Sequence, residues 1–263
     1  MTFSIALAGS HSVVPAFFAR LQAAGASVRA LSPQLGATPG DIADRAGMRT
    51  LLLVPRDVME SESLLFEDEN FAKTSPDLNL IILSGPLSPR YVRALRARIP
   101  AHIALVDAPF SGTMRQIEAG HATFLLGGTP DGLRLAHPTI AALGQSATHM
   151  GDFGTAISAK ALQDCIAAAS SALTRSALDW ADAQGIEETR LVHLLETTFG
   201  RRMMNSITDP ASLVTNTLPG DNAGQLLVKN VEQAMNTALK GVHLTPPRRS
   251  NYDFASTRVR HIH

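Results

Sequence analysis

Lys160 and Asp164 lie four residues apart in "AISAKALQDC". That spacing brings two side chains together on one face of a helix. An amine held among apolar residues can give a proton to a carbonyl oxygen, or take one back from an alcohol. An ionised Asp164 can only accept hydrogen bonds, and it would repel a carboxylate substrate. On residue type alone a helix lysine is most often solvated, and a lysine–aspartate pair one turn apart is often a plain surface ion pair. A second candidate is "DAPFSGT", where Ser111, Gly112 and Thr113 follow an apolar run and Pro109. Amides and hydroxyls exposed at such a strand end can grip a carboxylate. Pro-Phe-Ser-Gly is also an ordinary turn sequence. A third is "IALAGSHSVVPAFFARLQAAG", residues 5–25, which has the outline of a dinucleotide-binding turn. Such a turn reads G-x-G-x-x-G, whereas this one reads Gly9-Ser10-His11-Ser12-Val13-Val14.

The elements that must position these residues change character along the chain. Up to about Met150, short apolar runs alternate with helical patterns: "FSIALAG" (3–9), "SVRAL" (27–31), "TLLLVP" (50–55), "LNLIILS" (78–84), "HIALVDAP" (102–109), "ATFLLGG" (122–128) and "QSATHMG" (145–151). Runs of this length, flanked by turn residues, read as strands buried on both faces. Helical patterns at 13–24, 57–65, 88–98 and 130–142 make the sheet mostly parallel and covered on both sides. "GTPDG" (128–132) is a turn feeding a helix, not a phosphate loop, because no Gly-Lys-Ser/Thr follows. After Gly154 the chain is rich in Ala and Leu, with no proline or glycine until Gly185. One long helix over 155–183 is the natural reading, and 187–198, 200–206 and 223–240 also read helical. The fold class is therefore α/β followed by all-α. The tail "RRSNYDFASTRVRHIH" is a loosely attached or partner-contacting end.

Composition narrows the partners. The 263 residues carry 23 Lys and Arg against 23 Asp and Glu, with aromatics at 5%. A neutral chain poor in stacking surfaces argues against nucleic acid and against an anionic membrane. The single cysteine, Cys165, permits no internal disulfide. His11, His121, His149 and His193 have no metal-ligand spacing, so no metal is expected. No apolar run approaches the roughly 20 residues a membrane span needs. A soluble, cytoplasmic protein is the expectation.

Three segments together resemble the β-hydroxyacid dehydrogenase family, which includes 3-hydroxyisobutyrate, tartronate semialdehyde and 6-phosphogluconate dehydrogenases. Its substrate motif reads D-A-P-V-S-G-G and continues to a G-G pair. Here Asp107-Ala108-Pro109-Phe110-Ser111-Gly112 matches in spacing, as do Glu118, Gly120 and Gly127-Gly128. Its catalytic motif reads G-x-G-x-x-x-K-x-x-N-N, and Gly154 and Lys160 match in register. Gln163 and Asp164 stand where the family carries its asparagines, and Lys229-Asn230 resembles a family Lys-Asp pair. The resemblance implies a Rossmann-like domain over 1–152, a helical domain over 153–247 entered through the long helix, and a tail over 248–263. It implies a homodimer through the helical domain, an interdomain cleft, and hydride transfer between NADP or NAD and a small carboxylate. Lys160 would be the proton donor or acceptor, with Asp164 beside it. Ser111, Gly112, Thr113, Gln163 and Lys229 would hold the substrate.

Against the family, the cofactor half departs in three ways. His11 and Val14 stand at the second and third fingerprint glycines. The second lets the backbone approach the diphosphate, and the third lets the helix pack on the strand. A side chain at 11 therefore intrudes unless it contacts phosphate itself, and Val14 is expected to push the helix off the strand. After the second strand the family carries an acidic residue or an Asn-Arg pair, where this chain has Ser32-Pro33. Between Leu31 and Leu51 only a loop and "GDIADRAG" intervene, so one βα unit is missing. Gly9, Ser10, His11, Ser12 and Ser32 are the cofactor candidates. The alternatives are a cofactor-independent, redox-neutral enzyme (a lyase, decarboxylase, isomerase or cyclase) using the same cleft, and a non-catalytic dimeric scaffold.

Overall fold

A computed structural model describes residues 4–38 and 46–199. By their contacts these fall into two compact units, one running through Cys165 and one starting at Ile166. The first unit is built on an eight-stranded sheet. Strands β1 (Ser4–Ala8), β3 (Thr50–Leu53) and β4 (Leu80–Leu83) are short runs of Leu, Ile and Ala buried almost throughout. Runs this apolar fit a sheet only if both faces are covered. On one face of β1, Ile5 and Leu7 join a core with Phe17, Val54 and Phe124. On the other, Ala6 and Ala8 join Leu51, Leu53 and Phe71.

Strand β2 (Ser27–Ala30) lies at the sheet edge beside β1, whose other neighbour is β3. Among the described residues, a 3-10 turn at Pro33–Leu35 is the sole element between β2 and β3. Residues 39–45 of this interval lie outside the described residues. Parallel pairing continues through β4 to β5 (Ala104–Asp107). There the direction changes. The two-residue β6 (Phe110–Ser111) and the end of β5 both pair antiparallel with β7 (Ala122–Gly128), which pairs parallel with β8 (Gly144–Gly151).

The helices are α1 (Val14–Ala23), α2 (Val58–Phe66), α3 (Phe71–Thr74), α4 (Pro89–Arg98), α5 (Met114–Glu118) and α6 (Pro130–Leu143). Four have a side-chain cap. Asp57, Ser88, Thr113 and Thr129 accept from the amides of Glu60, Tyr91, Gln116 and Gly132. Each satisfies an amide the helix leaves without a partner. Helix α1 has no side-chain cap and carries Pro15 in its first turn. The long helix α7 (Thr155–Ala183) and α8 (Glu188–Phe199) follow. None of the described helices is long and apolar enough to cross a membrane. The segments 200–206 and 223–240 and the tail lie outside the described residues.

Val14 lies between α1 and the sheet. It is fully buried in the core that contains Leu7 and Val54. Helix α1 packs against β1, α5 and α6, so the isopropyl group is accommodated within the layer.

Candidate active site and dinucleotide turn

Lys160 lies in the second turn of α7 and is not a solvated lysine. Its side chain is 9% exposed and that of Asp164 is 23%. The ammonium donates to Asp164 Oδ1 along the helix face. A lysine this enclosed needs its counter-ion, because an unpaired charge in such surroundings is costly. Burial pushes the Asp164 carboxyl above its ordinary range, while the charge and hydrogen bond of Lys160 pull it back. One residue earlier, Gln163 Oε1 accepts from the Ser111 hydroxyl at 3.2 Å. That contact joins the β6 strand end to α7 one turn from Lys160. The Gln163 amide spends its oxygen on Ser111, which leaves its N–H donors to offer, a match for a carboxylate.

What fixes α7 here is a residue the motif contained but whose role was not legible. Asp107, at the end of β5, is 1% exposed. Its Oδ1 accepts the Gly154 amide at 2.7 Å and its Oδ2 accepts the Ile157 amide at 2.7 Å. A carboxylate from a neighbouring strand therefore caps α7, where the helix's own Gly154 has no side chain to do so. Burial pushes the Asp107 carboxyl up, and the backbone amides of Gly154 and Ile157 pull it down. The approach is close enough to demand glycine on the next strand: a β-carbon at Gly127 would stand 2.2 Å from Asp107 Oδ1.

Other candidates are engaged locally. Thr113 is the N-cap of α5 in a capping box with Gln116, so its hydroxyl serves that helix. Gly112 lies between Ser111 and that cap with φ +146°. Ser32 is fully buried and accepts from the Gln34 amide at 3.3 Å, starting the 3-10 turn. Lys229 lies outside the described residues. Among the described residues, no group of three His, Cys, Asp or Glu side chains comes together to hold a metal.

The turn after β1 runs close against Val54 at the end of β3. Gly9 has φ +114°, and a β-carbon there would meet the Val54 carbonyl oxygen at 2.2 Å, so only glycine fits. Ser10 is half-buried and Ser12 exposed at the tip. Gln34 donates to the Ser10 carbonyl. His11 occupies the second glycine's position, half-buried, with Nδ1 accepting the Val13 amide at 3.2 Å. Gly9, Ser10 and Ser12 lie along the turn, and the imidazole stands against the Val13 amide.

A profile of the NAD binding domain of 6-phosphogluconate dehydrogenase matches residues 9–151. The chain belongs to the β-hydroxyacid dehydrogenase family. Its β-hydroxyacid dehydrogenase relatives include a probable mitochondrial 3-hydroxyisobutyrate dehydrogenase of Arabidopsis thaliana, 29% identical over 148 residues, 54% of this chain and 43% of that one. The mitochondrial 3-hydroxyisobutyrate dehydrogenase of Mus musculus is 24% identical over 212 residues, 78% of this chain and 63% of that one. The chain thus spans less than two thirds of the length of these relatives. A 3-hydroxyisobutyrate dehydrogenase from Mycobacterium tuberculosis, solved with L-serine, superposes with a TM-score of 0.70 at 17% identity, covering 94% of this chain and 97% of that one. The chain therefore has the family's fold, a Rossmann-like domain with helices after it.

Proposed function

We propose that the chain is a divergent NAD(P)-dependent 3-hydroxyacid dehydrogenase or reductase acting on a small carboxylate. The observation that carries this reading is the buried Lys160, paired with a half-buried Asp164 one turn from the Ser111–Gln163 hydrogen bond. Bound NADP or NAD would supply the hydride acceptor or donor. Lys160 gives its proton to the substrate oxygen during reduction, or takes it during oxidation. Asp164 holds the ammonium ready and takes part of the charge change. When substrate binds, the Ser111 hydroxyl turns from Gln163 to the acid group, and the Gly112 amide and the Gln163 N–H donors join it. Thr113 shapes the neighbouring turn, and Lys229 adds a second cation from outside the described residues. Gly9, Ser10, His11, Ser12 and Ser32 belong to the dinucleotide half. The boundaries 1–152, 153–247 and 248–263 go with this reading. So does a homodimer through the helical part, whose exposed Ile166, Ile186 and Leu194 are suited to cover by a second copy.

A second reading, a redox-neutral enzyme acting through the same lysine, draws its support from His11 and Pro15 in the dinucleotide turn. Calorimetric titration of NADH and NADPH, followed by turnover on a panel of 3-hydroxy and 3-oxo acids, separates the two. The dehydrogenase reading expects binding, and loss of about 100-fold or more of turnover in Lys160→Ala with cofactor affinity kept. No binding up to millimolar cofactor would sink it. Lys160-dependent turnover without nicotinamide would establish the second.

A further inference from the structure

The turn after β1 carries its own ligand. The His11 amide donates to the Val54 carbonyl at 3.2 Å, and the His11 carbonyl accepts the Val14 amide at 2.9 Å. Nδ1 of the same residue accepts the Val13 amide at 3.2 Å. Pro15, next in line, has no N–H to offer. A glycine-rich turn points such amides at a phosphate. Here the Val13 and Val14 amides are committed to His11, the His11 amide is committed to Val54, and Pro15 has none. The ring is also held from the side. Phe110 meets it in a T-shaped contact at 6.2 Å, and Phe110 in turn packs on Phe17 at 5.2 Å and Phe124 at 6.0 Å. A ring nitrogen that accepts carries no proton, so the imidazole is neutral with its proton on Nε2. Burial favours that neutral form, opposed by the field of Glu60 in the first turn of α2.

We propose that His11 is an intramolecular competitor for the diphosphate of a dinucleotide: its imidazole holds the Val13 amide in the free protein, and a dinucleotide is seated only when the ring is displaced. The proposal rests on the dehydrogenase reading for the identity of the ligand. In place of a glycine that makes room, the chain has a side chain whose lone pair imitates a phosphate oxygen. The affinity of the turn is lowered by the fraction of molecules in which the ring is in place. Opening costs the Val13 hydrogen bond and the contact with Phe110.

The test uses the full chain, NADH and NADPH as ligands, and the variants His11→Gly and His11→Ala. Calorimetry should show each variant binding at least about tenfold tighter than the parent, the factor expected when one hydrogen-bonded contact no longer has to be broken. His11→Ala removes the ring without adding glycine's backbone freedom, so it should keep most of the gain. Ring nitrogen-15 resonances of the parent give a reading that needs no variant. In the free protein Nδ1 should resonate as an unprotonated acceptor, and saturating NADPH should move it. Parent binding as tight as that of both variants would overturn the proposal, as would ring signals that saturating dinucleotide leaves unmoved. No binding by any of the three chains would overturn it too, and turnover without nicotinamide would then decide the separate question of the reaction. Tight parent binding with intact Lys160-dependent turnover would leave the dehydrogenase reading standing without this proposal. A variant that gains dinucleotide binding while turnover needs none would do the reverse.

Discussion

Gly127 faces Asp107 at a distance that admits no side chain: a β-carbon on the glycine would lie 2.2 Å from the carboxylate oxygen Oδ1. The two residues are paired across β5 and β7 where the sheet turns antiparallel. Asp107 reaches on to the amides of Gly154 and Ile157. Glycine, carboxylate and the first turn of α7 form one hydrogen-bonded unit, and Lys160 follows on the next turn.

Gly127→Ala should therefore destabilise the fold by about 1–3 kcal/mol, the usual range for overpacking. Asp107→Ala strands two amides and should cost about 3 kcal/mol. In the Asp107→Ala background the alanine at 127 loses its nearest obstacle and keeps only the Asp152 carbonyl oxygen at 2.9 Å, so the double variant should lose less than the sum. Urea unfolding of the four chains measures this, and strictly additive losses would contradict the arrangement.

Lys160→Met removes the cation that holds Asp164 down and leaves its burial in force. The Asp164 carboxyl should then titrate higher than in the parent, as read by carbon-13 NMR of labelled aspartate. A carboxyl that stays where it was, or moves lower, would mean that Lys160 is not its partner in solution.

His11 gives a pH dependence with a definite sign. Its folded pKa lies below the ordinary 6.5, so as pH falls the unfolded chain takes up the proton first. The stability tied to the neutral ring is complete above about 6.5 and is lost as pH falls towards the folded value. Denaturation at pH 8 and pH 5 should show a larger loss for the parent than for His11→Gln, which does not titrate. Equal losses would place the imidazole in solvent.

Ser111→Ala should weaken the grip on a substrate carboxylate while leaving proton transfer at Lys160 in place. The expected result is a KM raised about tenfold with kcat changed much less, the signature of lost uniform binding. A fall in kcat with KM unchanged would assign Ser111 to the reacting centre instead.

Strands of four or more apolar residues and helices of nine or more showed themselves in the sequence, because burial imposes a period that a reader can follow. The interval 155–183 matched α7 for this reason. Strand β6 has two residues, and α3 and α5 have four and five, too few for any period to develop. The antiparallel step at β7 was missed for the same reason. Lys160 and Asp164 could be paired in advance because helical spacing is local. Asp107 could not, since its partners lie 47 and 50 residues away and sequence offers no period at that range. Val14, read from the sequence as a residue between α1 and the sheet, is buried in the core there.

Phe110 stands where the related motif has a valine, and His11 where the related turn has a glycine. The two larger groups meet each other edge to face. Restoring the glycine alone leaves the phenyl edge without its neighbour, and restoring the valine alone leaves the imidazole without its wall. The two positions are therefore coupled in packing, and either substitution alone leaves a gap beside the other ring. The contact ties the altered turn to the strand that carries Ser111, so a change of size at either position is felt at the other.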